Sequence, residues 1–217
     1  MSFSQSLVNK VILVILVSLI GLLIFTLYRP LPVNETTMIE IEKGYGLNQV
    51  IDRLSEQGLV NRPLILKGYV KVFKRSDDIK AGEYLISKTN NALQLIQKVS
   101  EGSVYYHQIR LREGSTINEL IDLFKNNTAL KKDENFQDKN KIRSDLGLEI
   151  NSLEGLFHPD TYNYIKGDSY LDILKRSNLK HQKILTQLWN QRNINLPFKN
   201  SYEALTLASI IEKEGTE

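Results

Sequence analysis

The chain has 217 residues, 41% hydrophobic and 24% charged, with a net charge of +3, which excludes wholesale disorder and leaves room for one or two domains with real cores. Two of the 28 basic residues, Lys10 and Arg29, flank an apolar run, and the remainder nearly balances the 25 acidic residues, so no nucleic-acid partner is expected. Without cysteine there is no thiol catalysis, disulfide or thiolate site, and three scattered histidines (His107, His158, His181) with no HExxH run leave no metal to expect.

Val11 to Tyr28 is uncharged for eighteen residues, roughly 27 Å as a helix and close to the ~30 Å core of a bilayer. It reads as one transmembrane helix. A cleaved signal peptide is the rival reading; the length of the run, and Tyr28-Arg29-Pro30 where small residues would mark a cleavage site, favour an anchor. One basic residue on each side does not set the orientation. The economical topology keeps residues 1–10 in the cytoplasm and exports the rest, with 29–37 as a linker stiffened by Pro30 and Pro32.

Ile39 and Ile41 alternate with Glu40 and Glu42, the period of a half-buried strand. Past a turn at Gly44, Leu47, Val50, Ile51 and Leu54 share one helical face that Gly58 closes. Asn61 caps a second helix with Pro63 in its first turn, running to about Phe73, and Gly82–Ile86 returns as a strand. A third helix covers Ala92–Val99. Residues 39–54 then realign without gaps on 109–124: Ile39, Gly44, Asn48, Ile51 and Asp52 recur as Ile109, Gly114, Asn118, Ile121 and Asp122. Each copy reads as strand, glycine turn, amphipathic helix, and the second adds a capping box at Thr116 and Glu119. A polar, charge-mixed connector follows Phe124 through Asp145.

This unit resembles the LysM glycan-binding module, with Gln108–Ile121 its best match. Residues 39–86, within a LysM-like subdomain at 38–105, have the module's β-α-α-β order, but Tyr45-Gly46 stand where it has a hydroxyl residue, so a structural role is as expected there as sugar contact. Residues 106–150 hold the second copy and the connector.

Two later segments carry candidate chemistry. Leu153-Glu154-Gly155-Leu156-Phe157-His158-Pro159-Asp160-Thr161-Tyr162 reads, from its residues, either as a proline turn whose Asp160 and Thr161 bond local backbone or as part of a site. In Asn200–Glu214, Asn200 and Glu203 start a helix with Ala204, Leu207, Ala208 and Ile211 as its expected buried face. Glu212 leans back over small Ala208 and Ser209, which leaves open space beside its carboxylate, and Glu214 leans over Ile210 and Ile211. Both acids equally fit a solvated helix end.

LEGLFHPDTY followed by LASIIEKE is similar to the YceG-like family, the endolytic murein transglycosylases of the MltG type. The resemblance implies an α+β chain: a single N-terminal membrane helix, a LysM-like subdomain, and in 151–217 the first part of a mostly helical catalytic domain. It implies Glu212 as the catalytic acid, with Glu154, Asp160, Tyr162, Ser209 and Glu214 in supporting or groove-lining positions, and no cofactor. The implied substrate is the peptidoglycan glycan strand, cut between N-acetylmuramic acid and N-acetylglucosamine with a 1,6-anhydro product. The implied place is the bacterial inner membrane, single-pass, with the bulk extracytoplasmic and peptidoglycan synthases or division proteins as protein partners. The family's catalytic domain continues past this motif with DPT-like and PYNTY-like stretches, so the 217 residues alone are expected to release little product. A non-catalytic glycan-binding or scaffolding protein is the alternative.

Overall fold

A computed structural model describes residues 2–73, 79–149 and 152–215; the boundary read at 150/151 and the last two residues lie outside them. The chain divides into two compact units, Met1–Tyr105 and Tyr106–Glu217.

The first unit begins with helix α1, Ser2–Tyr28. Its stretch Ser6–Tyr28 contains an eighteen-residue window with a mean hydropathy of 2.9 and is long and apolar enough to cross a membrane. Side chains from Val11 to Phe25 are largely exposed, whereas Leu27 is buried. Residues 29–37, read from sequence as a linker, are docked: Leu31 is buried, its N–H donates to the Asn90 carbonyl at 2.8 Å, and Pro30 bridges to Asn91.

The expected β-α-α-β order follows, as β1 (Thr37–Ile41), α2 (Leu47–Glu56), α3 (Pro63–Phe73) and β2 (Gly82–Ile86), with α4 (Ala92–Ser100) after it. β1 and β2 pair antiparallel, Thr37 opposite Ile86 and Ile41 opposite Gly82. The period-2 pattern sends Ile39 and Ile41 inward with Tyr84 and Ile86. They meet Leu47, Val50, Ile51 and Leu54 of α2, Leu66 and Val70 of α3, and Ala92, Leu95, Ile96 and Val99 of α4, all buried. At about 25 cal/mol per Å² this apolar burial is what holds the unit together.

In the second unit β3 (His107–Leu111) leads to α5 (Ile117–Lys125), α6 (Lys139–Asp145), β4 (Asp160–Tyr164), α7 (Tyr170–Gln191) and α8 (Ser201–Glu214). β3 pairs antiparallel with β4, His107 opposite Tyr164 and Leu111 opposite Asp160. The core collects Ile109 and Leu111 from β3, Ile117, Leu120, Ile121 and Phe124 from α5, Ile142 from α6, Tyr162 and Tyr164 from β4, and Tyr170, Ile173 and Leu174 from α7. The polar connector is thus partly the short helix α6, held by the buried Ile142.

The repeat is structural. Both copies run strand, turn, helix in the same register, with Gly44 at φ 91° and Gly114 at φ 66° in equivalent turns. That region is costly for residues with a Cβ. The caps differ. Thr116 makes the full box: its Oγ1 accepts from Glu119 N–H at 3.3 Å, and its own N–H donates to Glu119 Oε2 at 2.7 Å. Gly46 has no side chain to offer, and only the return bond survives, from its N–H to Gln49 Oε1 at 2.8 Å.

One expectation fails. Leu207, Ala208 and Ile211 do not form a buried face on α8; Leu207 is 43% and Ile211 62% exposed. Among the described residues nothing covers that side, and the helix uses its Leu205 side, half-buried against Gly155, instead.

Candidate active site

An open groove of about 590 Å³ lies within the second unit. The β3–α5 turn contributes Arg112, Gly114, Ser115 and Thr116; the 154–159 loop contributes Glu154, Gly155, Phe157 and Pro159. α7 adds His181, and α8 lines the other side with Tyr202, Leu205, Thr206, Ser209, Ile210, Glu212 and Glu214.

Local sequence explains why these elements hold their places. α8 starts where the Asn200 side chain accepts from Glu203 N–H at 3.0 Å, while Glu203 Oε2 accepts from Lys199 N–H at 2.7 Å. From that start one helical side brings Leu205, Ser209 and Glu212 to the groove together. The 154–159 loop is pinned through backbone carbonyls. His158 O accepts from Tyr162 Oη at 2.8 Å and from Ser177 Oγ at 3.0 Å, and Leu156 O accepts from Asn178 Nδ2 at 3.0 Å. Ser177 and Asn178 are the buried polar residues of α7, and these bonds are the reason.

The six residues assigned from sequence separate into two groups. Glu154, Ser209, Glu212 and Glu214 line the groove together; Asp160 and Tyr162 do not. Glu154 turns one oxygen onto the first turn of α5, where Oε2 accepts from Ile117 N–H at 3.0 Å. A carboxylate there satisfies an orphan helix donor and sits favourably on the helix dipole. Glu212 is exposed, as are Ser209 and Glu214. Ser209 Oγ donates to the Thr206 carbonyl at 2.7 Å. Asp160 pairs with Lys180, and that bond, then the Thr161 N–H, hold its carboxyl below the usual carboxylate range. Tyr162 is a core residue of β4 whose hydroxyl supports the loop through His158 O.

Sequence reading gave no role to His181. Its Nε2 is buried without a hydrogen-bond partner, and burial, with His158 nearby, pushes its pKa below the usual 6.5. The missing signal was α7 itself: Tyr170, Ile173, Leu174, Ser177 and Asn178 repeat at helical spacing behind a Ser169 cap. Arg112 and Phe157 are further groove residues that stand out only once the β3–α5 turn and the loop face each other. Among the described residues no cluster could hold a metal ion.

These features define a class: an α+β chain with one helix apolar enough to cross a membrane and an open groove lined by three glutamates. The chain belongs to the YceG-like family, whose model matches residues 39–217. It is similar to a solved yceG-like protein from Listeria monocytogenes, at 23% identity and a TM-score of 0.35, over 72% of this chain and 57% of that one. The chain thus spans a little over half the length of that protein. No curated protein matches it. Family membership supports a cell-wall related function.

Proposed function

We propose that the protein is a membrane-anchored lytic transglycosylase that cuts peptidoglycan glycan strands between N-acetylmuramic acid and N-acetylglucosamine, with Glu212 as its acid–base. The observation that carries the reading is the meeting of Glu212 and Glu154, from segments far apart in sequence, in one groove open enough for a glycan. Glycosidases that use water need two working carboxylates. Here Glu154 is committed to the Ile117 N–H, which leaves it as a wall and helix cap. A transglycosylase needs one, because the substrate supplies its own nucleophile. Glu212 gives its proton to the leaving glycosidic oxygen as the C1–O bond breaks. Its carboxylate then takes the C6 hydroxyl proton as that oxygen bonds C1, closing the 1,6-anhydro ring and regenerating the acid. Glu212 is exposed, so in this reading the sugar that fills the groove is what excludes water from it. In this reading α1 anchors the chain in the bacterial inner membrane with its bulk extracytoplasmic, where synthases or division proteins are its neighbours.

The test is release of 1,6-anhydro-muropeptides from purified glycan strands by a full-length form. Glu212→Gln should lower the rate by about 10² to 10⁴, the usual cost of losing a general acid–base group, and Glu214→Gln far less. Near-parental activity in Glu212→Gln, or hydrolysed reducing ends, would sink the assignment.

A second reading, glycan binding without cleavage, is favoured by another groove, about 660 Å³, along β3 and α5. Gln108, Arg110, Arg112, Asp122 and Asn126 line it with hydrogen-bonding groups. Glycan retention without any anhydro product from the parent would select it.

A further inference from the structure

We propose that the first unit carries a site for the phosphate headgroup of an anionic phospholipid, in the cavity where α1 leaves the bilayer. The inference rests on α1 crossing the membrane, which puts its last turn at headgroup level. The cavity, about 170 Å³, is walled by Phe25 and Thr26 of that turn, by Arg29 and Leu31 just past it, and by Val60 and Arg62 from the α2–α3 connection. Its size suits a phosphate, in contrast to the glycan-sized groove of the second unit.

Two arginines line it, and among the described residues neither pairs with a carboxylate. Among the described residues, Arg62 Nη1 meets only Thr26 Oγ1, at 3.4 Å, and Arg29 lies over the Phe25 ring at 5.7 Å. Thr26 Oγ1 already donates to the Leu22 carbonyl at 2.8 Å, so it serves Arg62 as acceptor. Planar guanidinium forks match phosphate oxygens bidentately. Apart from Thr26 and Asn61 the rest of the lining is apolar. Leu64, two residues past Arg62 in sequence, is 81% exposed. A guanidinium pair over an apolar wall at headgroup depth fits a lipid, whereas a soluble phosphate has no use for the apolar part.

The full chain in detergent micelles, titrated with phosphatidylglycerol or phosphatidylcholine and read by native mass spectrometry, tests this. The parent should hold phosphatidylglycerol at least about tenfold tighter. Arg29→Gln/Arg62→Gln should fall to the phosphatidylcholine level. Lys43→Gln/Lys80→Gln, with the same charge loss at the far end of the β1–β2 ladder, should not change. Equal retention of both lipids by the parent, or an unchanged preference in the arginine variant, overturns the site. Displacement by millimolar inorganic phosphate overturns the lipid as its source. Carbonate extraction of membranes is run alongside: a chain that washes off loses the span itself, a failure distinct from weak lipid preference in a chain that stays.

Discussion

At the scale of single residues, the groove sets the exposed Glu212 beside a carboxylate spent on structure. Glu154 is bonded to the first turn of α5, so its loss should appear as stability. Glu154→Ala should cost about 1 to 3 kcal/mol for a charged acceptor lost from a part-buried donor, while Glu154→Gln, which keeps an oxygen, should cost less. Chemical denaturation of the two variants measures the difference, and equal losses would mean the bond to Ile117 does not matter. His181 makes a pH prediction whose sign follows from its lowered pKa. The folded state holds it neutral, so the unfolded chain takes up the proton first as pH falls. Its contribution is complete above 6.5 and is lost as pH drops below that value toward the folded pKa. Asp160, also lowered, does the same only below its usual 3.8, so the windows do not overlap. Melting temperature should therefore decline from pH 7 to 5 in the parent, and the decline should shrink in His181→Leu. An identical slope in both would refute the role.

At the scale of elements, burial within α5 sets what one side chain is worth. Phe124 is 1% exposed and its ring lies 5.9 Å from that of Tyr170, so it joins α5 to α7. Phe124→Ala should destabilise by about 3 to 5 kcal/mol, as transfer and cavity terms add, and urea titration reads it. Elements with strong local signals were legible: the Pro63 start, the Gly82–Ile86 strand and the Asn200 cap all lie where spacing put them. The seventy-residue repeat was legible too, because a turn with positive φ leaves a glycine in the sequence. Two things were not. α7 hides because its second half mixes charge and apolar residues, with Leu179 and Leu188 exposed and only the first turns buried. The α8 face misled because the pattern shows which side is apolar without showing whether anything packs there. The same limit held in the site. Glu212 and Glu154 were nameable from motifs, but Arg112, Phe157 and His181 join them only through the β3–β4 pairing and the unread helix.

At the scale of the whole chain, two cores built from separate residue sets define two units. The Phe124→Ala loss should therefore stay in the second unit. Hydrogen exchange should quicken in α5, β3 and β4 and leave β1, β2 and α4 at parental protection; faster exchange in both sets together would show one cooperative fold. The first unit has a consequence of its own. Leu31 is sunk into it and its N–H bonded to Asn90, with Pro30 bridged to Asn91, so α1 ends without slack. A tether of loose residues would let a cargo wander through a hemisphere. In the anchored state proposed above, this one works as a mast stepped into its deck: twist or tilt of α1 would turn the first unit with it, and bilayer thickness would become a mechanical input.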